Sequence, residues 1–542
     1  MHAMNLLRAD DDETSDFWLH SYIFANPNVG SLAVNKLFTG SMRSVDDHTY
    51  SSLGGSLTTW AYRPRRYPSI YALPYPRPSS ACVRNISFLE IGMIMYCIEI
   101  GATRYERSAD ADLSSSSRER WNTAFWATKS SDPGVAILPQ STDKVAQVVN
   151  FARDRGIDLA VRCGGHSTDI SASTDGGILI DLRRMNQVDV DMSNHTVTVQ
   201  GGALWADVHR AIAEANLAVF VADTDDTSLR STAWVADNLL SAQVVTGQGQ
   251  VLTASAEENQ DLFWGIRGAG ANLGIVTSMT FQAYPSRPLV WSGIRTFACQ
   301  HLCEVIQSLN HVMRHPRGKA AAQCVLGVSL ETRQPVISAV LFFDGTEEEA
   351  ERHFGSLLEV PSLASDIAMR SLAEANSLLD PMMPPGGRKK LLGLQFAPVV
   401  QPETVRKVME ALATQIKAEP EMAHSVIDID FIDPEVLSRV PITETAFPQR
   451  TKHLQASMLL QWSSAGKDDE ILAWGESVQQ LCREEMRRIG HEPDELVSNF
   501  VGYTKEAGKT AKEMYGLNAA RLVEVKKKYD PENVFNKLNP IS

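Results

Sequence analysis

The stretch LAVRCGGHS, residues 159–167, decides how the rest of the chain is interpreted. Apolar residues run up to Val161 as in a strand, two glycines then free the backbone, and His166 follows at the turn. Glycine permits positive φ and lets the main chain approach a ligand closely. The pattern predicts a strand that ends at a ligand-binding loop with a histidine at its edge. A plain strand-to-loop turn with an incidental histidine is the alternative, because short motifs give frequent false positives.

The residues before this stretch predict a βαβ unit. Val135–Leu138 is typical of a short buried strand, and Ser141 is a suitable N-cap for the helical pattern that follows. Gly156 ends that helix, and residues 157–161 form the next predicted strand. The unit delivers the chain directly to His166.

The residues after it predict a second group of strands and helices. Alternation predicts a hairpin over residues 188–199, and helical spacing predicts an amphipathic helix over 203–216. Two strands, 242–246 and 251–254, lead into DLFWGIRGAGANLGIV at 261–276. The glycines of that last stretch predict a loop whose N–H groups face a phosphate or a polar ring edge. A Rossmann site is disfavoured because the third glycine is missing at the required spacing.

Length, charge and cysteine content limit the class of protein. The 542 residues predict two or three folding units, and the net charge of −14 argues against a nucleic-acid partner. The seven cysteines are scattered, so neither a disulfide framework nor a metal site is expected, although Cys299-Gln-His301-Leu-Cys303 has suggestive spacing. No signal peptide or membrane span is found, which predicts a cytoplasmic protein.

Six short motifs follow one another between residues 121 and 541. They are RCGGHS at 162–167, DL at 181–182 with MN at 185–186, GG at 201–202, DNL at 237–239, LFW at 262–264 with residues 267–276, and YDPENVF at 529–535. As an ordered set, they resemble those of the berberine-bridge-enzyme-like branch of the vanillyl-alcohol-oxidase flavoproteins.

The resemblance implies an α+β fold, with a PCMH-type two-lobed FAD-binding domain and an inserted mixed-sheet substrate domain. The expected FAD-binding domain covers residues 113–286, the substrate domain covers 287–490, and residues 491–542 complete the FAD-binding domain. Residues 1–112 lack periodicity and are expected to be an irregular N-terminal extension that contributes little to the fold.

The resemblance also implies FAD bonded covalently through His166, since a neutral imidazole is a competent nucleophile near neutral pH. The other cofactor-binding residues that it implies are Arg162, Cys163, Gly164, Gly165, Ser167, Asn238, Gly268, Gly270, Asn272, Gly274, Ile275, Val276 and Asn499.

Two departures from the family pattern bear on catalysis. Residues 221–237 replace a long glycine-rich run; they contain no glycine or cysteine but three early carboxylates, at 223, 225 and 226. Attachment through His166 alone is therefore expected, with repulsion between these carboxylates and the FAD diphosphate. The family tyrosine that often serves as the base is Val497 here, while Asn499 is retained. Tyr503 lies nearby but is more typical of a packing aromatic, so the catalytic base stays unassigned.

The expected function is FAD-dependent oxidation of a small organic substrate. The resemblance suggests a secondary-metabolite alcohol, amine or related C–H donor, hydride transfer to flavin N5 and reoxidation by oxygen. A carbohydrate oxidase of the same family is one alternative, and a degenerate flavoprotein fold without turnover is another. A yellow protein with a flavin spectrum would favour an enzyme over the degenerate fold.

Overall fold

The computed structural model describes the chain from residue 133 onward with gaps, together with the backbone of one earlier strand. The described ranges are 103–105, 133–165, 173–219, 235–314, 319–379, 387–432, 438–450, 452–493, 510–538 and residue 541. The predictions for His166, Ser167, Asn499, Tyr503 and the carboxylates of residues 223–226 lie outside these ranges.

A four-stranded sheet contains the predicted βαβ unit. Its elements are β1 (Thr103–Tyr105), β2 (Val135–Leu138), α1 (Thr142–Arg155), β3 (Leu159–Arg162) and β4 (Ile178–Asp181). The strand order is β1-β2-β4-β3, and β4 pairs in parallel with both β2 and β3. Ser141 caps α1 by accepting from the backbone N of Lys144, and Gly156 ends it at φ +61°. Both signals act as predicted.

Strand β1 falls inside the segment expected to be irregular. Its three residues pair antiparallel with Ala136–Leu138 of β2. Three residues are too few to produce a readable alternation, which is why the sequence gives no sign of this strand. A part of residues 1–112 therefore extends the first sheet.

A second lobe is built on a five-stranded antiparallel sheet of order β5-β6-β10-β8-β9. Its elements and their neighbours are β5 (Val188–Asp191), β6 (Thr196–Gln200), α2 (Trp205–Glu214), β7 (Leu217–Ala218), β8 (Leu239–Thr246), β9 (Val251–Ser255), α3 (Gln260–Ala269), β10 (Gly274–Gln282) and β11 (Tyr284–Pro285). The predicted hairpin is β5–β6, and β7 and β11 form a separate two-stranded ladder.

The third unit is a seven-stranded sheet of order β15-β12-β14-β13-β17-β18-β16. Its elements are β12 (Val290–Ala298), α4 (Leu302–Arg314), β13 (Ala320–Val328), β14 (Pro335–Phe343), α5 (Glu347–Leu358), β15 (Ala364–Arg370), α6 (Leu372–Asn376), β16 (Arg388–Phe396), α7 (Pro402–Ala418), β17 (Val426–Phe431), β18 (Leu454–Trp462) and α8 (Asp468–Arg488). Every pairing is antiparallel, so the sheet expected to be mixed runs in alternating directions throughout. Helices α4, α5, α7 and α8 share one apolar core with one face of it.

The C-terminal segment returns to the second lobe as α9 (Ala511–Tyr515) and α10 (Ala519–Tyr529). Leu522 and Val525 of α10 share a core with Leu262 and Trp264 of α3. Beyond α10, the Asp530 carboxylate accepts from Lys526 Nζ at 2.6 Å and from the backbone N of Phe535 at 2.9 Å. The YDPENVF motif thus closes the end of α10, and its Phe535 packs in the core of the four-stranded sheet.

No helix in the described ranges is both long enough and apolar enough to cross a membrane.

Candidate active site

The first candidate group lies where β3 ends. Arg162 is the last residue of that strand, is buried, and pairs across the sheet with Asp181. Burial lowers the pKa of the Arg162 guanidinium, while the Asp181 carboxylate raises it. Gly165 then takes φ +76°, a left-handed conformation that favours glycine. The strand therefore ends at a tight turn beside a buried cation, immediately before His166.

The glycine-rich stretch at 261–276 corrects the expectation of an open loop. Most of it is helix α3, which is kinked at Gly268 and followed by a single 3-10 turn and β10. A Cβ at Gly268 would lie 2.1 Å from the backbone N of Phe447, and one at Gly274 would lie 2.7 Å from the carbonyl O of Val245. These two glycines admit neighbouring protein backbone. Gly270 meets only one atom, at 3.8 Å, and has room for a side chain.

The side chains after this helix divide between the core and a polar position. Ile275 packs in the core between the four-stranded sheet and α1, and Val276 is half-buried. Asn272 is buried; its Nδ2 donates to Tyr515 Oη at 3.3 Å, while its Oδ1 has no hydrogen-bond partner. Of these predicted cofactor contacts, the structure leaves a buried polar atom without a partner only at Asn272.

Asn238 has an internal role in the structure. Its Nδ2 donates to the carbonyl O of Val219 at 3.1 Å, and its Oδ1 accepts from Tyr284 Oη at 3.3 Å. The amide therefore connects Val219, which follows β7, with Tyr284 of β11. The carboxylate of its neighbour Asp237 forms a buried ion pair with Arg450, with nitrogen–oxygen distances of 2.6 and 2.7 Å.

Residues 442–450 form a crossing segment between β17 and β18 that the sequence analysis missed. Trp264 Nε1 of α3 donates to the carbonyl O of Thr443 at 2.9 Å, and Asn518 Nδ2 donates to the carbonyl O of Thr445 at 3.1 Å. Arg450 adds the ion pair to Asp237. The segment belongs in sequence to the third unit but is bonded to the second lobe. Its composition has no periodic pattern that could have revealed this.

A carboxyl pair, with Asp428 buried and Asp430 half-buried, lies on the third sheet. Ile427, Ile429 and Phe431 of β17 pack against the helices, so Asp428 and Asp430 project from the opposite face. Asp428 is only 3 % exposed, although the helices cover the other side of the sheet. The acid–apolar alternation of VIDIDF was the available sequence signal, but it is more typical of a face in water.

Hydrogen bonds and burial set the state of this pair. Gln323 Nε2 donates to Asp428 Oδ2 at 3.2 Å and to Asp430 Oδ1 at 3.0 Å, and the Ser457 hydroxyl donates to Asp428 Oδ1. Burial and then the charge of Asp430 raise the pKa of Asp428 to about 8. Burial raises the pKa of Asp430 to about 6. At neutral pH the pair therefore holds one proton and one negative charge.

The unpartnered buried atoms allow a test of whether the chain fits a polar cofactor. Buried polar groups are normally hydrogen-bonded, so such atoms mark places where a ligand could supply the partner. Asn272 Oδ1, both amide atoms of Gln449 and Arg450 Nε are of this kind. Asn272 belongs to the second lobe, Arg450 is bonded to it through Asp237, and Gln449 is the neighbour of Arg450 in sequence. The residues fit a polar cofactor. No group of three or more metal-ligating side chains occurs in the described parts of the chain.

Comparison with known families gives two matches. Residues 133–255 match the FAD binding domain family, and residues 499–542 match the berberine and berberine-like family.

Curated relatives match between about half and three quarters of the chain. An FAD-linked oxidoreductase of Aspergillus terreus, pgmH, is 26 % identical over 424 residues, 75 % of this chain and 87 % of the relative. The (R)-6-hydroxynicotine oxidase of Paenarthrobacter nicotinovorans is 30 % identical over 254 residues, which span 44 % of this chain and 55 % of that enzyme.

Solved structures show the same fold. The 6-hydroxy-D-nicotine oxidase of Arthrobacter nicotinovorans superposes with a TM-score of 0.65 at 23 % identity, covering 81 % of this chain and 98 % of that one. Berberine bridge enzyme of Eschscholzia californica gives 0.67 at 20 % identity, covering 83 % and 98 %. The expected α+β fold with an FAD-binding domain is confirmed.

Proposed function

We propose that this chain is a berberine-bridge-enzyme-like FAD-linked oxidoreductase, that it oxidises a small alcohol or amine, and that the Asp428–Asp430 pair takes the released proton. The observation that carries this proposal is the buried carboxyl pair on the face of the third sheet that the helices leave uncovered. When bound, FAD would supply a hydride acceptor at N5 and an electron donor for oxygen.

The carboxyl pair has the properties that a proton acceptor needs. A general base works best when its pKa lies near the operating pH, and burial has moved both carboxyls toward that range. Gln323 bridges the two groups, and Ser457 fixes the second oxygen of Asp428. The substrate hydroxyl or amine would donate its proton to the ionised member, and the shared negative charge would then be neutralised.

The cofactor would be held by residues at the end of β3 and after α3. We propose that His166 forms the single covalent bond to the flavin, with Arg162 supplying a buried positive charge behind the turn. Among the other predicted contacts, Gly164 and Gly165 lie at that turn and Asn272 lies after α3. Gly268 and Gly274 act instead by admitting neighbouring backbone.

The covalent bond is tested by acid precipitation followed by fluorescence of the denatured protein on a gel. The wild type is expected to give a flavin-labelled band, and His166→Ala is expected to give none. A persistent band in the variant would show that another residue holds the flavin.

The reaction is tested by anaerobic mixing with a panel of alcohols, amines and sugars while the flavin absorbance near 450 nm is followed. Loss of that band identifies the substrate class, and loss with sugars alone would replace the proposal by carbohydrate oxidation. For the compound that works, Asp428→Asn with Asp430→Asn is expected to slow flavin reduction at pH 7 by roughly 10²–10⁴-fold. Asp366→Asn, on the exposed β15 of the same sheet, is the matched control and should leave the rate unchanged.

A further inference from the structure

Two adjacent residues of the crossing segment carry several buried polar atoms without a partner. Among the parts of the chain that the structure describes, nine buried side-chain nitrogen and oxygen atoms have no hydrogen-bond partner, and three of them belong to Gln449 and Arg450. Gln449 is 2 % exposed, and neither atom of its amide is bonded. Arg450 directs its two terminal nitrogens to Asp237 but leaves Nε unpaired.

Such a cluster has a cost that a protein without a ligand would not be expected to retain. An unpaired buried amide loses its bonds to water and gains none in return. Gln479, a buried glutamine of α8, shows the usual arrangement, since its Nε2 donates to the carbonyl O of Gly393 at 2.8 Å. Gln449 lacks any such partner, although the surrounding segment is firmly bonded through Thr443 and Thr445.

The three atoms define the chemistry of the missing partner. Gln449 Nε2 and Arg450 Nε are donors, and Gln449 Oε1 is an acceptor. They call for a ligand with two acceptors and one N–H donor. The pyrimidine edge of the flavin ring offers this set in its imide: two carbonyl oxygens flanking one N–H. An adenine edge offers one acceptor beside an amino group and would leave a donor unpaired.

The position of the segment also favours the flavin ring over the adenine. Arg450 is bonded to the second lobe through Asp237, whereas four residues later Leu454 begins β18, the strand that carries Ser457 beside Asp428. The reacting flavin ring has to reach both the second lobe and the face of the seven-stranded sheet that carries Asp428, whereas the adenine needs to reach only the second lobe. Gln449 lies where the chain passes from the second lobe to that sheet.

We infer that Gln449, together with the Nε–H of Arg450, binds the imide edge of the flavin. Gln449 is thereby a cofactor-contacting residue that fixes the flavin ring between the second lobe and the seven-stranded sheet. The inference rests on the proposed function only in requiring that FAD be bound.

The test compares Gln449→Met with Gln479→Met in the full-length protein. Gln449→Met is expected to shift the visible absorption bands of the oxidised flavin by a few nanometres. In a His166→Ala background it should weaken FAD binding about tenfold, while the melting temperature without FAD is unchanged or higher. Gln479→Met is expected to lower that melting temperature and leave the flavin spectrum and affinity unchanged.

Three results would overturn the inference. One is an unchanged flavin spectrum and affinity in Gln449→Met, and another is weakened binding of FAD with undiminished binding of FMN, which would place the amide at the adenine. A wild type without flavin would refute both this inference and the proposed function. If Gln449→Met does not fold, Gln449→Glu provides the same readout, and its negative charge should lower the reduction potential of the bound flavin. An unchanged potential would count against the contact.

Discussion

The substitution Asp428→Asn should remove a pH-dependent loss of stability between pH 6 and 8. Folding raises the pKa of this carboxyl from an ordinary 3.8 to about 8. The folded protein therefore holds a proton that the unfolded chain has already released, and the resulting stabilisation is lost as the pH rises towards 8. The Asp428→Asn variant lacks this pH dependence of stability, because the asparagine side chain does not titrate.

The size of the effect follows from the proton count. Between pH 6 and 8 the folded state binds up to one more proton at Asp428 than the unfolded state, because the unfolded carboxyl has already ionised; Asp430, with a pKa of about 6, adds little in this window. The stability lost is up to about 1.4 kcal/mol per pH unit and about 2–3 kcal/mol across the window, since Asp428 is itself half-ionised at pH 8. For a protein of this size, this corresponds to about 3 °C in melting temperature.

The assay is thermal unfolding of the wild type and Asp428→Asn at half-unit steps from pH 5 to 9. The difference between the two melting temperatures is used, so that titration of other groups cancels. The wild type is expected to lose about 3 °C relative to the variant from pH 6 to 8. Parallel curves would show that Asp428 is ionised throughout this range, and the argument for a shared proton would be refuted.

Further predictions concern the glycines and the crossing segment. Gly268→Ala should lower the melting temperature by several degrees, since its Cβ would overlap the Phe447 backbone, whereas Gly270→Ala should change stability by less than about 0.5 kcal/mol. Equal stability of these two variants would contradict the packing described. Arg450→Met leaves the Asp237 carboxylate buried without its partner and should cost about 3–5 kcal/mol, measurable by denaturant unfolding. Restoration by adding Asp237→Asn is expected, and its failure would point to a different role for Arg450.

The sequence predicted those elements whose local pattern agrees with the fold. Alternation identified the hairpin β5–β6, and the cap residues Ser141 and Gly156 bounded α1. Prediction from the sequence failed for the stretch 261–276. Its four glycines favour a loop by local propensity, whereas packing of Leu262 and Trp264 against α10 stabilises a helix.

The carboxyl pair and the crossing segment could not be predicted for a different reason. Asp428 and Asp430 alternate with apolar residues as on a solvent-facing strand, and only the tertiary structure buries Asp428 and half-buries Asp430. The bonds of residues 442–450 join positions that are more than 70 residues apart in sequence, such as Thr445 and Asn518. No local pattern reports such a contact.

The return of α10 to α3 has a consequence for how the protein is made. Helix α3 ends at residue 269, but the side chains that complete its core, from Leu522 to Tyr529, are synthesised much later. The seven-stranded unit, residues 290–488, is contiguous between them and can fold while the chain is still growing. The second lobe has to wait until α10 has been synthesised, and pairings over such distances form slowly. A stop codon before α10 would therefore leave a folded seven-stranded unit attached to a second lobe whose core is incomplete.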